Sequence, residues 1–156
     1  MIKNVSLVFS LFVVALSVCG VVSLGSRFSD IFVHGNIFHC LANVWALLYV
    51  CFLLKTDVTE LLLSVIIGAS LLYLGWPYHI VGLSGCLYAL YAIISYRVRN
   101  KKRYHLVMSC FILLSMLIPQ FAGMYHLVCY ITGVFVGYPI YKIKQYVRRR
   151  KDIRRK

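Results

Sequence analysis

The chain has 156 residues, of which 62% are hydrophobic and 13% charged, about half the charged fraction of a typical soluble domain. With a mean hydropathy of +0.83, this is the composition of an integral membrane protein. At about 20 residues per spanning helix, six spans use most of the length. These residues leave no room for a separate soluble domain, so any activity is expected to be built inside the helical bundle.

The net charge of +13 raises the question of nucleic acid, and its distribution answers it. Fourteen of the 17 basic residues lie between Arg97 and Arg103 or between Lys142 and Lys156; the others are Lys3, Arg27 and Lys55. Basic clusters flanking apolar runs mark cytoplasmic loops, and a basic tail attracts anionic lipid headgroups. No nucleic-acid partner is expected. The six cysteines all fall in or beside apolar runs without CxxC spacing, so neither a disulfide framework nor a metal site is expected.

In chain order, Val5 to Leu24 is span 1, too long for a signal h-region and read as uncleaved. Gly25 to Ile37 is a polar connection carrying Arg27, Asp30, His34 and Asn36. Phe38 to Leu54 is span 2. Val58 to Leu74 is span 3, with Glu60 near its start. Gly75 to Gly82 is a short loop, and Leu83 to Tyr96 is a short span 4 that relies on Arg97 to reach the interface. Tyr104 to Ile118 is span 5, ended by Pro119, and Gly123 to Tyr141 is span 6. Residues 1–141 thus form one membrane domain and 142–156 a basic cytoplasmic tail.

Six spans put both termini on one side, and Lys3, Lys55, the Arg97 to Arg103 loop and the tail then all face the cytoplasm, as the positive-inside rule requires. Spans 2, 4 and 6 consequently begin at the opposite face. Their first turns carry His39 and Asn43, Ser84, and His126, so connectivity alone sets these polar groups at similar depth. Polar and ionisable side chains inside a bilayer are expensive and tend to mark function.

Each of these residues also has a plainer reading. Ser84 lies between Gly82 and Gly85 at the mouth of span 4, where a serine serves equally as a helix cap or as a nucleophile. His39 and Asn43, four apart and on one helical face, could simply bond across helices. Trp45 reads as a packing or interfacial residue. Gly133 and Gly137 form a GxxxG surface that permits close helix approach. His126 lies two turns before Gly133, so it projects from nearly the same face, toward span 4. His79 is a rival base by its nearness to Ser84 in sequence, whereas His105 belongs to the other membrane face.

Together, His34-x4-His39-x3-Asn43, then Gly82-Leu83-Ser84-Gly85, then a histidine opening the last span resemble the rhomboid family of intramembrane serine proteases, over about residues 1 to 141. Tyr88, four after the serine, matches the tyrosine that packs against the family's histidine. The resemblance implies an all-α, six-span bundle working through a Ser84–His126 dyad, with Ser84 as nucleophile and His126 as general base. It implies that His39, Asn43 and the Ser84 backbone N–H stabilise the oxyanion. Tyr88 would hold the imidazole, Gly82 and Gly85 would let the backbone approach the scissile carbonyl, and His34 would support the first loop. No buried carboxylate is available to orient His126, since Asp30 lies in the first loop and Glu60 at the cytoplasmic side.

Three positions depart from the family pattern. The first loop is short, with Ser26-Arg27 where a Trp-Arg motif usually stands, and Cys129 and Ala89 occupy positions usually held by glycine. The expected activity is hydrolysis of a peptide bond in or near a transmembrane segment of another membrane protein. It needs no cofactor, and its site faces the extracytoplasmic side of a bacterial inner membrane. The alternatives are a rhomboid-like protein that binds transmembrane helices without cutting them, and a small scaffold or transporter whose polar residues only join helices.

Overall fold

The computed structural model describes His34 and residues 37–74, 82–118 and 122–154. Span 1, Ser26, Arg27, Asp30 and His79 lie outside the described residues. Five α-helices are described: α1 (Ile37–Leu53), α2 (Val58–Tyr73), α3 (Ser84–Ile94), α4 (Lys101–Leu117) and α5 (Gly123–Ile153), with a 3-10 turn at Ser95–Arg97. No strand occurs among the described residues. The five spans expected after the first each coincide with one of these helices.

Local chemistry sets the helix boundaries. Lys55 takes a left-handed φ of 50° just after α1, turning the chain toward α2. Asp57 then caps α2: its carboxylate accepts from the Glu60 N–H at 3.1 Å, and Glu60 accepts from the Asp57 N–H at 3.2 Å. This reciprocal arrangement satisfies two of the N–H groups that a helix start leaves open. Asn100 caps α4 by accepting from the Arg103 N–H at 3.1 Å.

Two helices are longer than the hydropathy pattern suggests. Helix α4 starts at Lys101 rather than Tyr104, because the Asn100 cap lies within the basic cluster, ahead of Lys101, Lys102 and Arg103. Helix α5 runs through the basic stretch to Ile153, so its last three turns are helix where a tail was expected. Lysine and arginine are good helix formers. Pairs one turn apart support the extension: Gln145 donates to the Tyr141 hydroxyl at 2.6 Å, and the Arg150 guanidinium lies 4.7 Å from the centre of the Tyr146 ring. Helix α5 is also the one described helix long and apolar enough to cross a membrane by itself.

Helix α3 is the centre of the bundle. Leu87, Ala89, Leu90, Ala92, Ile93 and Ile94 are all buried. Its main neighbour is α5, running parallel to it, and glycines set how closely the two approach. A Cβ on Gly133 would come within 2.6 Å of the Ala89 carbonyl oxygen and 2.8 Å of the Ala92 Cβ, and one on Gly137 within 2.8 Å of the Ile93 Cα. The GxxxG surface therefore faces span 4, as its phase relative to His126 suggested. Helix α2 packs antiparallel to both: a Cβ on Gly68 would meet the Cys86 sulfur at 2.5 Å, and Tyr125 of α5 donates to the Gly68 carbonyl at 2.8 Å. Helices α1 and α4 flank this trio, and Phe38, Leu41, Trp45, Leu106, Leu113 and Leu117 point outward from them. Exposed apolar faces of this kind suit lipid as solvent rather than water.

The end of the bundle remote from Ser84 is closed by charge. Glu60 is buried and accepts from Arg97 at 2.9 Å and from Lys144 at 2.8 Å. Lys144 also pairs with Asp57, and Arg97 donates to the Lys55 carbonyl at 3.3 Å. Arg97 thus ends its span by pairing with α2 as well as by reaching outward. One carboxylate ties α2, the turn after α3, and α5 together.

Candidate active site

Gly82 leads into the site with φ at 106°, a conformation that side chains other than glycine's strain to adopt. A Cβ here would also lie 2.9 Å from the His39 Cε1 and 3.4 Å from the Asn43 Nδ2. Both constraints act at one residue, and they hold the chain entering α3 against the first turns of α1. His34 contributes an edge-on ring 5.1 Å from that of His39.

Ser84 is the first residue of α3. Leu83 occupies the cap position and makes no side-chain capping bond, while the Ser84 hydroxyl lies 2.8 Å from the His126 Nε2. The simple cap reading of this serine therefore gives way to an interhelical contact between residues 42 positions apart. Helix connectivity explains it. Helices α3 and α5 run parallel, both start at this end, and the glycine seam brings their first turns within side-chain reach.

The His126 ring is buried and fixed on its face by Tyr88, with ring centroids 4.5 Å apart and planes inclined by 21°. Its other nitrogen, Nδ1, lies 3.4 Å from the Ser115 hydroxyl on α4. Reading the sequence missed Ser115. Its only signal was a hydroxyl within an apolar run, and Ser64 and Ser95 carry the same signal while bonding only to their own helices.

Asn43 is buried, and its Nδ2 has no hydrogen-bond partner among the described residues. An unmatched buried donor costs about 1–3 kcal/mol, so this amide has an unused capacity to bind an acceptor. The first N–H groups of α3 are likewise open by the geometry of a helix start, and the helix dipole favours negative charge there. Asn43, His39 and the Ser84 N–H thus surround the Gly82–Ser84 corner with donors.

Gly85 has a different neighbour from the one expected. A Cβ on it would come within 2.2 Å of the Tyr125 ring and 2.7 Å of its hydroxyl oxygen. The bare face of Gly85 is filled by the tyrosine that anchors α5 to Gly68, so its smallness serves helix packing. His105 is remote from the dyad, with its Nδ1 2.7 Å from the Tyr130 hydroxyl. Ala89 and Cys129 are fully buried, and α3 and α5 remain in close contact around them through Gly133.

In chemical terms, a hydroxyl shares a hydrogen bond with a stacked imidazole at a helix N-terminus, and the Asn43 amide and the open N–H groups of that helix start lie beside it. A hydroxyl, a base and nearby donors in this arrangement can in principle serve as nucleophile, proton acceptor and anion cradle. A family model described as Rhomboid domain matches residues 22–143 of the chain. No curated protein and no solved structure matches it.

Proposed function

The chain belongs to the rhomboid family, an integral membrane family, and on that footing we propose that it is an intramembrane serine protease acting through Ser84 and His126. The observation that carries the reading is the 2.8 Å contact between the Ser84 hydroxyl and the His126 Nε2, made inside an apolar bundle. Its substrate is another membrane protein, cut in or near a transmembrane segment.

In the proposed reaction Ser84 gives its proton to the His126 Nε2 as its oxygen attacks the scissile carbonyl. The carbonyl oxygen becomes an oxyanion, met by the Asn43 amide, His39 and the Ser84 N–H. Such donors are worth about 3 kcal/mol each in soluble serine proteases. His126 then returns the proton to the leaving amine, and water, activated by the same base, releases the acyl group from Ser84. Tyr88 keeps the imidazole in plane throughout. No cofactor enters this chemistry.

The proposed topology has six spans and both termini in the cytoplasm, with the dyad toward the extracytoplasmic face. The concentration of lysine and arginine at the opposite end of the bundle supports it. A bacterial inner membrane fits the minimal loops, and the basic end of α5 would meet anionic headgroups there.

The test is labelling of the purified protein by a fluorophosphonate, alongside Ser84→Ala and His126→Ala. Labelling of the wild type alone is the expected result. Equal labelling of all three would overturn the protease reading.

A further inference from the structure

We infer that Ser115 is a positioning residue for the dyad, selecting the tautomer of His126 that can act as a base. The inference rests on the protease reading above. A general base at Nε2 needs that nitrogen unprotonated, which places the neutral ring's single proton on Nδ1. In soluble serine proteases a buried carboxylate makes this choice, and among the described residues no carboxylate stands near His126. Among the described residues, the one side-chain group within hydrogen-bonding range of its Nδ1 is the Ser115 hydroxyl, at 3.4 Å.

That hydroxyl has one proton and two acceptor sites. The proton is already used, because Ser115 donates to the Ile112 carbonyl at 2.7 Å. Toward Nδ1 it can therefore only accept. The backbone of α4 thus dictates the polarity of the hydroxyl, and the hydroxyl dictates the proton position on the imidazole. Ser115 is buried, so water does not readily substitute for it.

The length of the contact has its own meaning. At 3.4 Å it is a weak bond for a neutral ring. When His126 takes the Ser84 proton, Nδ1–H becomes part of a cation, and charge-assisted bonds are shorter and roughly twice as strong. An interaction that strengthens as the proton moves favours the transition state over the ground state. The proton on Nδ1 itself stays in place; Ser115 neither gives nor takes one.

The experiment uses the full chain in detergent, with Ser115→Ala and Ser115→Thr beside the wild type. Two quantities are read: the second-order rate constant for fluorophosphonate labelling, and the tautomer of His126 by nitrogen NMR on 15N-histidine protein. Ser115→Ala is expected to slow labelling about 10-fold and to raise the share of the Nε2–H tautomer. Ser115→Thr, which keeps the hydroxyl, restores both. A Ser115→Ala spectrum identical to the wild type overturns the inference, whether or not the rate falls, because a rate change alone would signify disturbed packing. The spectrum requires no turnover. Failure of the wild type to label would therefore count against the protease reading, while the spectrum still decides the role of Ser115.

Discussion

The two ends of the seam between α3 and α5 solve the same problem in opposite ways. At one end Ser84 and His126 join the helices through a single hydrogen bond, with Tyr88 stacked on the ring and a donor on Asn43 left unmatched among the described residues. At the other end Glu60 and Asp57 face Arg97 and Lys144. Glu60 is matched on both oxygens, by Arg97 and the Asp57 N–H on one and by Lys144 on the other. The first end keeps capacity in reserve and the second spends all it has. Reserve suits a site that must bind a passing charge, and saturation suits a clamp.

That contrast can be broken or sharpened by substitution. The largest effect is expected from Ser84→Ala or His126→Ala, each lowering cleavage of a transmembrane substrate at least roughly 1,000-fold, since members of such a unit fail together. Unfolding in a detergent titration should change little, because the clamp remains. Asn43→Ala comes next, with turnover reduced about 100-fold or more and the folded protein no less stable for losing an unmatched donor. Wild-type turnover in Asn43→Ala would remove it from the anion cradle.

At the saturated end the pattern reverses. Glu60→Gln should cost roughly 2 kcal/mol in an unfolding titration, less than the 3–5 kcal/mol of a fully buried pair. The discount arises because the Arg97 and Lys144 side chains stay about 30% and 29% exposed and recover water. Labelling of Ser84 in the folded fraction should be unchanged. A variant that unfolds normally but no longer labels would mean that the two ends are coupled.

The smallest effect concerns pH. Burial pushes the Asp57 carboxyl up, but the hydrogen bonds from Lys144 and the Glu60 N–H and the charges of Lys144 and Arg97 outweigh it, leaving it below its ordinary value of 3.8. Its contribution is therefore complete above about pH 4 and is lost as pH falls through the lower folded value. Asp57→Asn should be less stable than wild type by under about 1 kcal/mol at neutral pH, and the gap should close on acidification below 3.8. A gap that stays constant down to pH 3 would show that the Lys144 contact adds nothing.

The gathering of polar residues at the Ser84 end was largely legible in the sequence because connectivity is one-dimensional information. Counting spans puts His39, Asn43, Ser84 and His126 at one level, and the Gly133–Gly137 spacing gives the direction of approach. The clamp was less legible. Glu60 looked like a charge near a helix start, and its partners lie 37 and 84 positions away, with no periodicity linking them. Ser115 was hidden by its likeness to Ser64 and Ser95, which make the same local bond. Only the packing of α4 against the start of α5 distinguishes it. The helical run past Tyr141 is hidden in the sequence because charge marks only the end of an apolar stretch, not the end of a helix.

The shortness of α3 makes it a ruler. Its 11 residues and the three of the following turn climb only about 22 Å at ordinary helical rises, against a hydrocarbon core of ~30 Å. Measured from Arg97, which Glu60 pins at one end of the bundle, the rise to Ser84 is about 8 Å less than that thickness. Because α3 is enclosed by the other helices rather than by lipid, a shortfall of this size recesses the serine inside the bundle instead of thinning the bilayer around it.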